Sequence, residues 1–179
     1  MGWKTLVGGL MLAGQVVAET TFEDFSGDAN ARWTYVSDSV MGGVSTGTAG
    51  IIGQGLDAMI HLRGQVSTDN NGGFIQVRRR FSESWPDSVQ GLRLTVKGNG
   101  ARYHVFLKTP RLSRVWHSYR ASFVAPVSWQ TIDIPLDMFS PSHMGIPAMF
   151  SASEVNSLAI VAYGDDFEAD VSVREISLY

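Results

Sequence analysis

The sequence predicts an all-β fold, a jelly-roll β-sandwich of two antiparallel sheets, on three observations. Apolar residues alternate with polar ones over short stretches and almost never recur at helical spacing. Gly, Asn, Asp, Ser and Pro interrupt the chain every few residues, as turns between strands require. The resulting candidate strands are too numerous for one ordinary sheet, so they are expected to divide between two packed layers. On pattern alone a closed barrel is the competing arrangement.

Candidate strands fall at 21–25, 33–36, 43–46, 58–66, 73–81, 91–98, 102–109, 117–124, 130–135, 157–163 and 169–179. In Leu92-Arg93-Leu94-Thr95-Val96-Lys97 the apolar residues share one parity, so one face meets the core and the other meets water. Tyr119-Arg120-Ala121-Ser122-Phe123 follows the same rule. Arg102-Tyr103-His104-Val105-Phe106-Leu107-Lys108 is apolar on both faces at its middle, as expected of a central strand or of one whose outer face is covered or used. Asn99-Gly100 has the chemistry of a tight hairpin between the flanking strands. Val171 and Val173 share one parity and Ile176 and Leu178 the other, which predicts a bulge near Arg174-Glu175. Ser151 followed by Glu154 has capping-box spacing and predicts a helical turn before the strand at 157–163. The Gly-, Pro- and Met-rich stretch 140–150 reads as a loop.

The chain has 179 residues, 44% of them hydrophobic, enough to bury one core. Its formal net charge of −3 disfavours nucleic acid as a partner. Arg78-Arg79-Arg80 is the local exception, and strand alternation should split it, leaving exposed arginines with one turned inward. The absence of cysteine excludes disulfides and thiolate metal sites. Residues 1–18 read as a cleavable signal peptide, with Lys4 at its start, an apolar run over 5–17 and Val16-Val17-Ala18 before the cut. That run, as a helix, reaches only about 20 Å against a hydrocarbon core of roughly 30 Å. The expected product is a single domain over 19–179, periplasmic or secreted, without stable membrane insertion.

Two stretches organise the rest: Trp33-Thr34-Tyr35-Val36-Ser37-Asp38-Ser39-Val40-Met41-Gly42-Gly43-Val44-Ser45 and Asp69-Asn70-Asn71-Gly72-Gly73-Phe74. Each is a polar loop closed by a glycine pair, able to hold side chains at the rim of a sheet. Taken together with Tyr119…Phe123, with Trp129-Gln130-Thr131-Ile132-Asp133-Ile134-Pro135-Leu136-Asp137-Met138-Phe139 and with Phe167…Val171…Ile176, they resemble the complex I intermediate-associated protein 30 family. The positions that match its motif are Trp33, Asp38, Ser39, Met41, Gly42, Gly43, Ser45, Asn70, Asn71, Gly72, Gly73 and Phe74. The resemblance implies a galactose-binding-like β-sandwich, similar in architecture to carbohydrate-binding modules, with no catalytic set to carry over. It also implies kinship with a factor that helps assemble respiratory complex I in mitochondria. That factor works in the matrix, whereas the leader here points outward, so the role does not transfer directly. An outward-facing part of a membrane or respiratory complex and an unrelated partner both stay open.

Asp38, Ser39, Asn70 and Asn71 form a candidate binding cluster for a sugar or a peptide backbone, and mutual bracing of the loops would use the same atoms. Trp85, Trp116, His117 and Tyr119 are candidates for flat stacking surfaces, with Trp116 and Tyr119 retained as site residues, while Trp33 and Trp129 are expected in the core. The loop Arg111…Arg114-Val115-Trp116-His117 could also meet an acidic partner, though solvated arginines are the favoured account. His61, His104, His117 and His143 lack the paired spacing of zinc sites. Glu23, Asp24, Asp165, Asp166 and Asp170 are available for calcium, but none follows EF-hand spacing, and no metal or cofactor is assigned. Glu23, Glu83, Glu154 and Asp133 offer no selected glycosidase pair. The expectation is therefore a non-catalytic exported binding or assembly-factor-like module with a protein partner. A carbohydrate-binding module is the alternative, and a glycoside hydrolase-like enzyme comes third.

Overall fold

A computed structural model describes residues 19–179; the expected leader, 1–18, lies outside the described residues. Strand alternation produces two antiparallel six-stranded sheets packed face to face. The first runs β3 (Thr46–Ile52), β4 (Met59–Val66), β12 (Phe167–Leu178), β6 (Gly91–Gly98), β9 (Gln130–Pro135), with β1 (Thr20–Glu23) beside the far end of β12. The second runs β10 (Ser140–Pro141), β8 (Tyr119–Val124), β7 (Arg102–Lys108), β11 (Ser157–Tyr163), β5 (Phe74–Arg80), β2 (Trp33–Ser37).

The core lies between the sheets and is filled by residues of one parity from each strand. Leu92, Leu94 and Val96 of β6, Tyr103, Val105 and Leu107 of β7, and Tyr119, Ala121 and Phe123 of β8 are all buried. Each large side chain so placed stabilises the fold by roughly 1.5–3 kcal/mol relative to exposure. The parity change in β12 is resolved as expected: its register against β6 shifts between Val173 and Glu175, so Val171, Val173, Ile176 and Leu178 all reach the core. The turn predicted at Ser151 is a short 3-10 helix, Ala152–Glu154, in which the Ser151 N–H donates to the Glu154 carboxylate at 3.0 Å. Among the described residues no helix is long and apolar enough to cross a membrane.

Three expectations need correction. Asn99-Gly100 does not close a hairpin, because β6 and β7 belong to opposite sheets. The link is a corner that Asn99 holds: its Nδ2 donates to the Glu168 carbonyl at 2.7 Å, and its Oδ1 accepts from the Tyr103 hydroxyl at 2.9 Å. The strand expected at 43–46 begins only at Thr46, since Gly43 to Ser45 wrap a carboxylate, and it continues to Ile52 through Gly47 and Gly50, residues that are depleted in strands. Trp129 is half-buried rather than a core plug, flanked by Lys97 and Arg174 at 5.5 and 4.9 Å from its ring. Trp33 is in the core as expected.

Candidate functional site

The two glycine loops meet at one end of the sandwich, around Asp38. This residue follows β2 directly, and its carboxylate is fully buried. Oδ1 accepts from the Ser45 N–H at 3.0 Å, while Oδ2 accepts from the Ser45 hydroxyl at 2.5 Å and from the N–H groups of Gly73 and Phe74 at 2.6 and 3.2 Å. Ser45 continues the network into the first sheet, its Oγ accepting from the Ser67 N–H at 3.0 Å. One carboxylate therefore ties together the end of β2, the start of β3, the end of β4 and the start of β5. Burial pushes the Asp38 pKa up, but the surrounding donors outweigh it and hold the group below the usual carboxylate range.

The glycine pairs follow from this brace. A Cβ at Gly43 or at Gly72 would overlap the Asp38 carboxyl group, whereas Gly42 and Gly73 take φ of +91° and +120°, angles that side chains rarely adopt. Asn70 and Asn71 sit exposed at positive φ on the loop crest, and Ser39 is exposed with its hydroxyl 2.8 Å from that of Ser37. Of the four residues expected to form a binding cluster, Asp38 is thus spent on bracing, and only Ser39, Asn70 and Asn71 face solvent. Met41, also in this motif, is exposed, and Phe74 is half-buried at the start of β5.

Glu23 makes a second closed hub. Its buried carboxylate accepts from Arg32 at 2.7 Å, Trp33 Nε1 at 2.8 Å, Arg79 at 2.9 Å and the Phe25 N–H at 2.9 Å. Burial pushes its pKa up, and the hydrogen bonds from Arg32, Trp33 and Phe25 bring it below its ordinary value. Arg79 is therefore the inward member of the arginine triplet. Among the described residues the two buried carboxylates, Asp38 and Glu23, are each enclosed by their own donors rather than facing one another as a glycosidase pair does. Of the other acids considered for calcium, three are engaged elsewhere: Asp24 by Ser26, Asp166 by Thr68 and Asp170 by His61. Among the described residues no three His, Asp or Glu side chains gather in a metal-binding group.

The outward face of the second sheet is built differently. Outward parity places Phe74, Gln76, Arg78 and Arg80 on β5, Ala159, Val161 and Tyr163 on β11, His104, Phe106 and Lys108 on β7, and Arg120 on β8. Register sets Arg120, Phe106, Ala159 and Arg78 in one row across four strands. The Arg120 guanidinium stacks 4.5 Å from the Phe106 ring centre and 4.8 Å from that of Tyr163, and it donates to the Tyr163 and Ser118 hydroxyls. Phe106, Tyr163 and His104 meet edge to face, so they interlock rather than lie as parallel platforms. Ala159 and Val161 are buried beneath these longer side chains. The result is an apolar strip rimmed by cations.

Trp116 is 53% exposed on the loop beyond β7, whose Val115 carbonyl accepts from Lys108 Nζ. Tyr119 and Trp85, in contrast, are core residues and present no ring to solvent. For Tyr119 the alternation of its own strand already required this. Sequence reasoning passed over Arg120, Tyr163 and Phe106 as site residues; the one signal for them was the two-faced apolar centre of β7. On the first sheet's outer face lies a shallow trough of about 430 Å³ lined by Thr46, Thr48, His61, Arg63 and Asp170 among others, with His61 Nε2 2.9 Å from Asp170.

A family model described as complex I intermediate-associated protein 30 matches residues 22–172. The chain belongs to that family. The match spans both glycine loops and nearly every strand of the complex I intermediate-associated protein 30 fold as it stands here. Among curated proteins none matches in sequence. Among solved structures, the family 11 carbohydrate-binding module of the Clostridium thermocellum cellulosomal cellulase Lic26A-Cel5E is similar at a TM-score of 0.73 and 16% identity, covering 92% of this chain and 95% of that one. The Clostridium thermocellum family 11 module in complex with a β-1,3-1,4-mixed-linked tetrasaccharide is similar at 0.72 and 17% identity, covering 92% and 96%. A family 30 carbohydrate-binding module follows at 0.53 and 14% identity, covering 73% of each. At these identities the likeness is one of fold, and it agrees with the jelly-roll sandwich.

Proposed function

We propose that this member of the family is a non-catalytic, exported binding module that recognises a protein partner through the outer face of the β10-to-β2 sheet. The observation that carries the reading is the surface itself: the half-buried rings of His104, Phe106 and Tyr163, interlocked edge to face over buried Ala159 and Val161 and framed by arginines and a lysine. A flat apolar patch with a charged rim suits a protein interface. The family description, which names an association with an assembly intermediate, points the same way. The leader-like character of residues 1–18 supports a periplasmic or secreted location, where an outward-facing part of a membrane complex would be reachable.

The carbohydrate reading is favoured by one specific observation, the likeness in fold to carbohydrate-binding modules, one of them holding a tetrasaccharide. Against it stands the lack of parallel exposed rings on this face. One experiment separates the two: affinity capture from a periplasmic extract beside a glycan screen, with wild type and an Arg80→Gln, Arg102→Gln variant. Saturable capture of one protein species, weakened in the variant, supports the proposal. Binding confined to a neutral glycan overturns it.

A further inference from the structure

The charges of this protein are separated between its two sheets. The strands of the β10-to-β2 sheet contain no Asp or Glu, yet they carry Arg78, Arg79, Arg80, Arg102, Lys108 and Arg120. The other sheet mixes Glu23, Asp133, Glu168, Asp170 and Glu175 with Arg63, Arg93, Lys97 and Arg174. This occurs in a chain whose formal net charge is −3, so the basic face is not a reflection of overall composition.

Arg79 alone of those six turns inward, to Glu23. Among the described residues no carboxylate lies within ion-pairing distance of Arg78, Arg80, Arg102, Lys108 or Arg120, whereas Arg93 and Arg111 elsewhere both have one. Like charges on one face repel each other, and the strands of this sheet supply no carboxylate to offset them. Their mutual effect is visible at Lys108, whose pKa is pushed down to about 8 by burial and then by Arg78, Arg80 and Arg120. His104, at the centre of the face, is pushed down by burial and then by Arg120 and Arg102; Asp165, in the loop after β11, is the one acid acting on it in the other direction. His104 Nδ1 is also buried with no hydrogen-bond partner among the described residues. Arg120, stacked on two rings and bonded to two hydroxyls, is fixed in orientation before any ligand arrives.

We infer that this face docks an acidic segment of a protein, with Arg78, Arg80, Arg102, Lys108 and Arg120 supplying the complementary charge and the half-buried Phe106 and Tyr163 rings seating apolar residues within that segment. The inference rests on the proposed protein-binding function and specifies the partner's chemistry. Charge complementarity of this kind raises the association rate and makes binding depend on salt. The apolar strip is what distinguishes a peptide carrying interspersed apolar residues from a uniformly charged polymer.

The test uses the full chain and fluorescence anisotropy with labelled probes: a Glu-rich peptide with interspersed Leu, a pure oligo-glutamate, an oligo-galacturonate of equal charge and a Lys-rich peptide. Wild type is expected to bind the Glu/Leu peptide most tightly, with affinity falling as salt rises from about 0.05 M to about 0.3 M. Replacing the exposed pair in the Arg80→Gln, Arg102→Gln variant, which leaves the packing of Arg120 intact, should weaken it about tenfold. Arg63→Gln, on the opposite sheet, should leave it unchanged. The inference is overturned if oligo-galacturonate binds as tightly or more tightly, if the Arg pair has no effect, or if the Glu/Leu peptide does not bind. Should a protein captured from extract stay bound equally well to the Arg80→Gln, Arg102→Gln variant, the acidic-segment assignment fails while the binding function stands. Should extract yield no protein at all, the function itself fails.

Discussion

Changing Asp38 to Asn keeps the side chain's size and removes its charge at the point where four strand ends converge. The carboxylate accepts four hydrogen bonds, three of them from backbone N–H groups. An amide can present its oxygen to only one side, so at least one buried N–H is left facing an NH2 group. Such an orphaned donor costs about 1–3 kcal/mol, and the remaining bonds lose the charge assistance that is worth about 1 kcal/mol each. With partial relaxation the expected loss is about 3–5 kcal/mol, a large share of the roughly 5–15 kcal/mol that holds a domain together. In a domain of this size it should lower the melting temperature by about 10 °C. Urea unfolding followed by circular dichroism gives the free energy, and Ser39→Ala, at an exposed position of the same loop, serves as the control with a change below about 0.5 kcal/mol. A loss under about 1 kcal/mol for Asp38→Asn would refute the idea that this group joins the sheets.

Other outcomes follow from the same geometry. Gly43→Ala should destabilise by more than about 2 kcal/mol because its Cβ overlaps Asp38, while Gly50→Ala, with open space around its Cβ, should change stability by less than about 0.5 kcal/mol in the same urea assay. Glu23→Gln should cost about 3–5 kcal/mol by leaving Arg32 and Arg79 without their buried carboxylate. Asp38 and Glu23 both have folded pKa values below their unfolded ones, so their contribution is complete above the ordinary carboxylate range and is lost as pH falls through it; acid denaturation should shift to higher pH in either variant. Lys108 behaves oppositely: its depressed pKa of about 8 means that the unfolded chain binds more protons between there and its ordinary value, so stability should rise with pH across that window. Lys108→Met should flatten that rise in a pH series of urea midpoints.

The sandwich was legible because period-two alternation is a direct consequence of burying one face, and the apolar residues of β6, β8 and the bulged β12 obeyed it. Where several strands could follow a turn, the sequence was ambiguous. Asn99-Gly100 provides the same local chemistry whether the next strand stays in the sheet or crosses to the other, and only the distant partners Glu168 and Tyr103 decide. The glycine loops were recognisable as a built pair, yet their division of labour was not. That Asp38 accepts while Asn70 and Asn71 merely turn depends on which side chain points inward, which spacing does not specify. Tyr119 illustrates a conflict within the sequence itself: its strand parity demanded the core while its aromatic character suggested a surface, and packing prevailed. The basic face was hidden because its residues are distributed over β5, β7 and β8, and become neighbours only through register.

Backbone amide chemical-shift mapping by NMR on the full chain, with the Glu/Leu peptide added stepwise, tests the binding surface most directly. Perturbations concentrated at Arg78, His104, Phe106, Arg120 and Tyr163 are the predicted result. Shifts concentrated instead at Ser39, Asn70 and Asn71, or in the His61 trough of the opposite sheet, would contradict it.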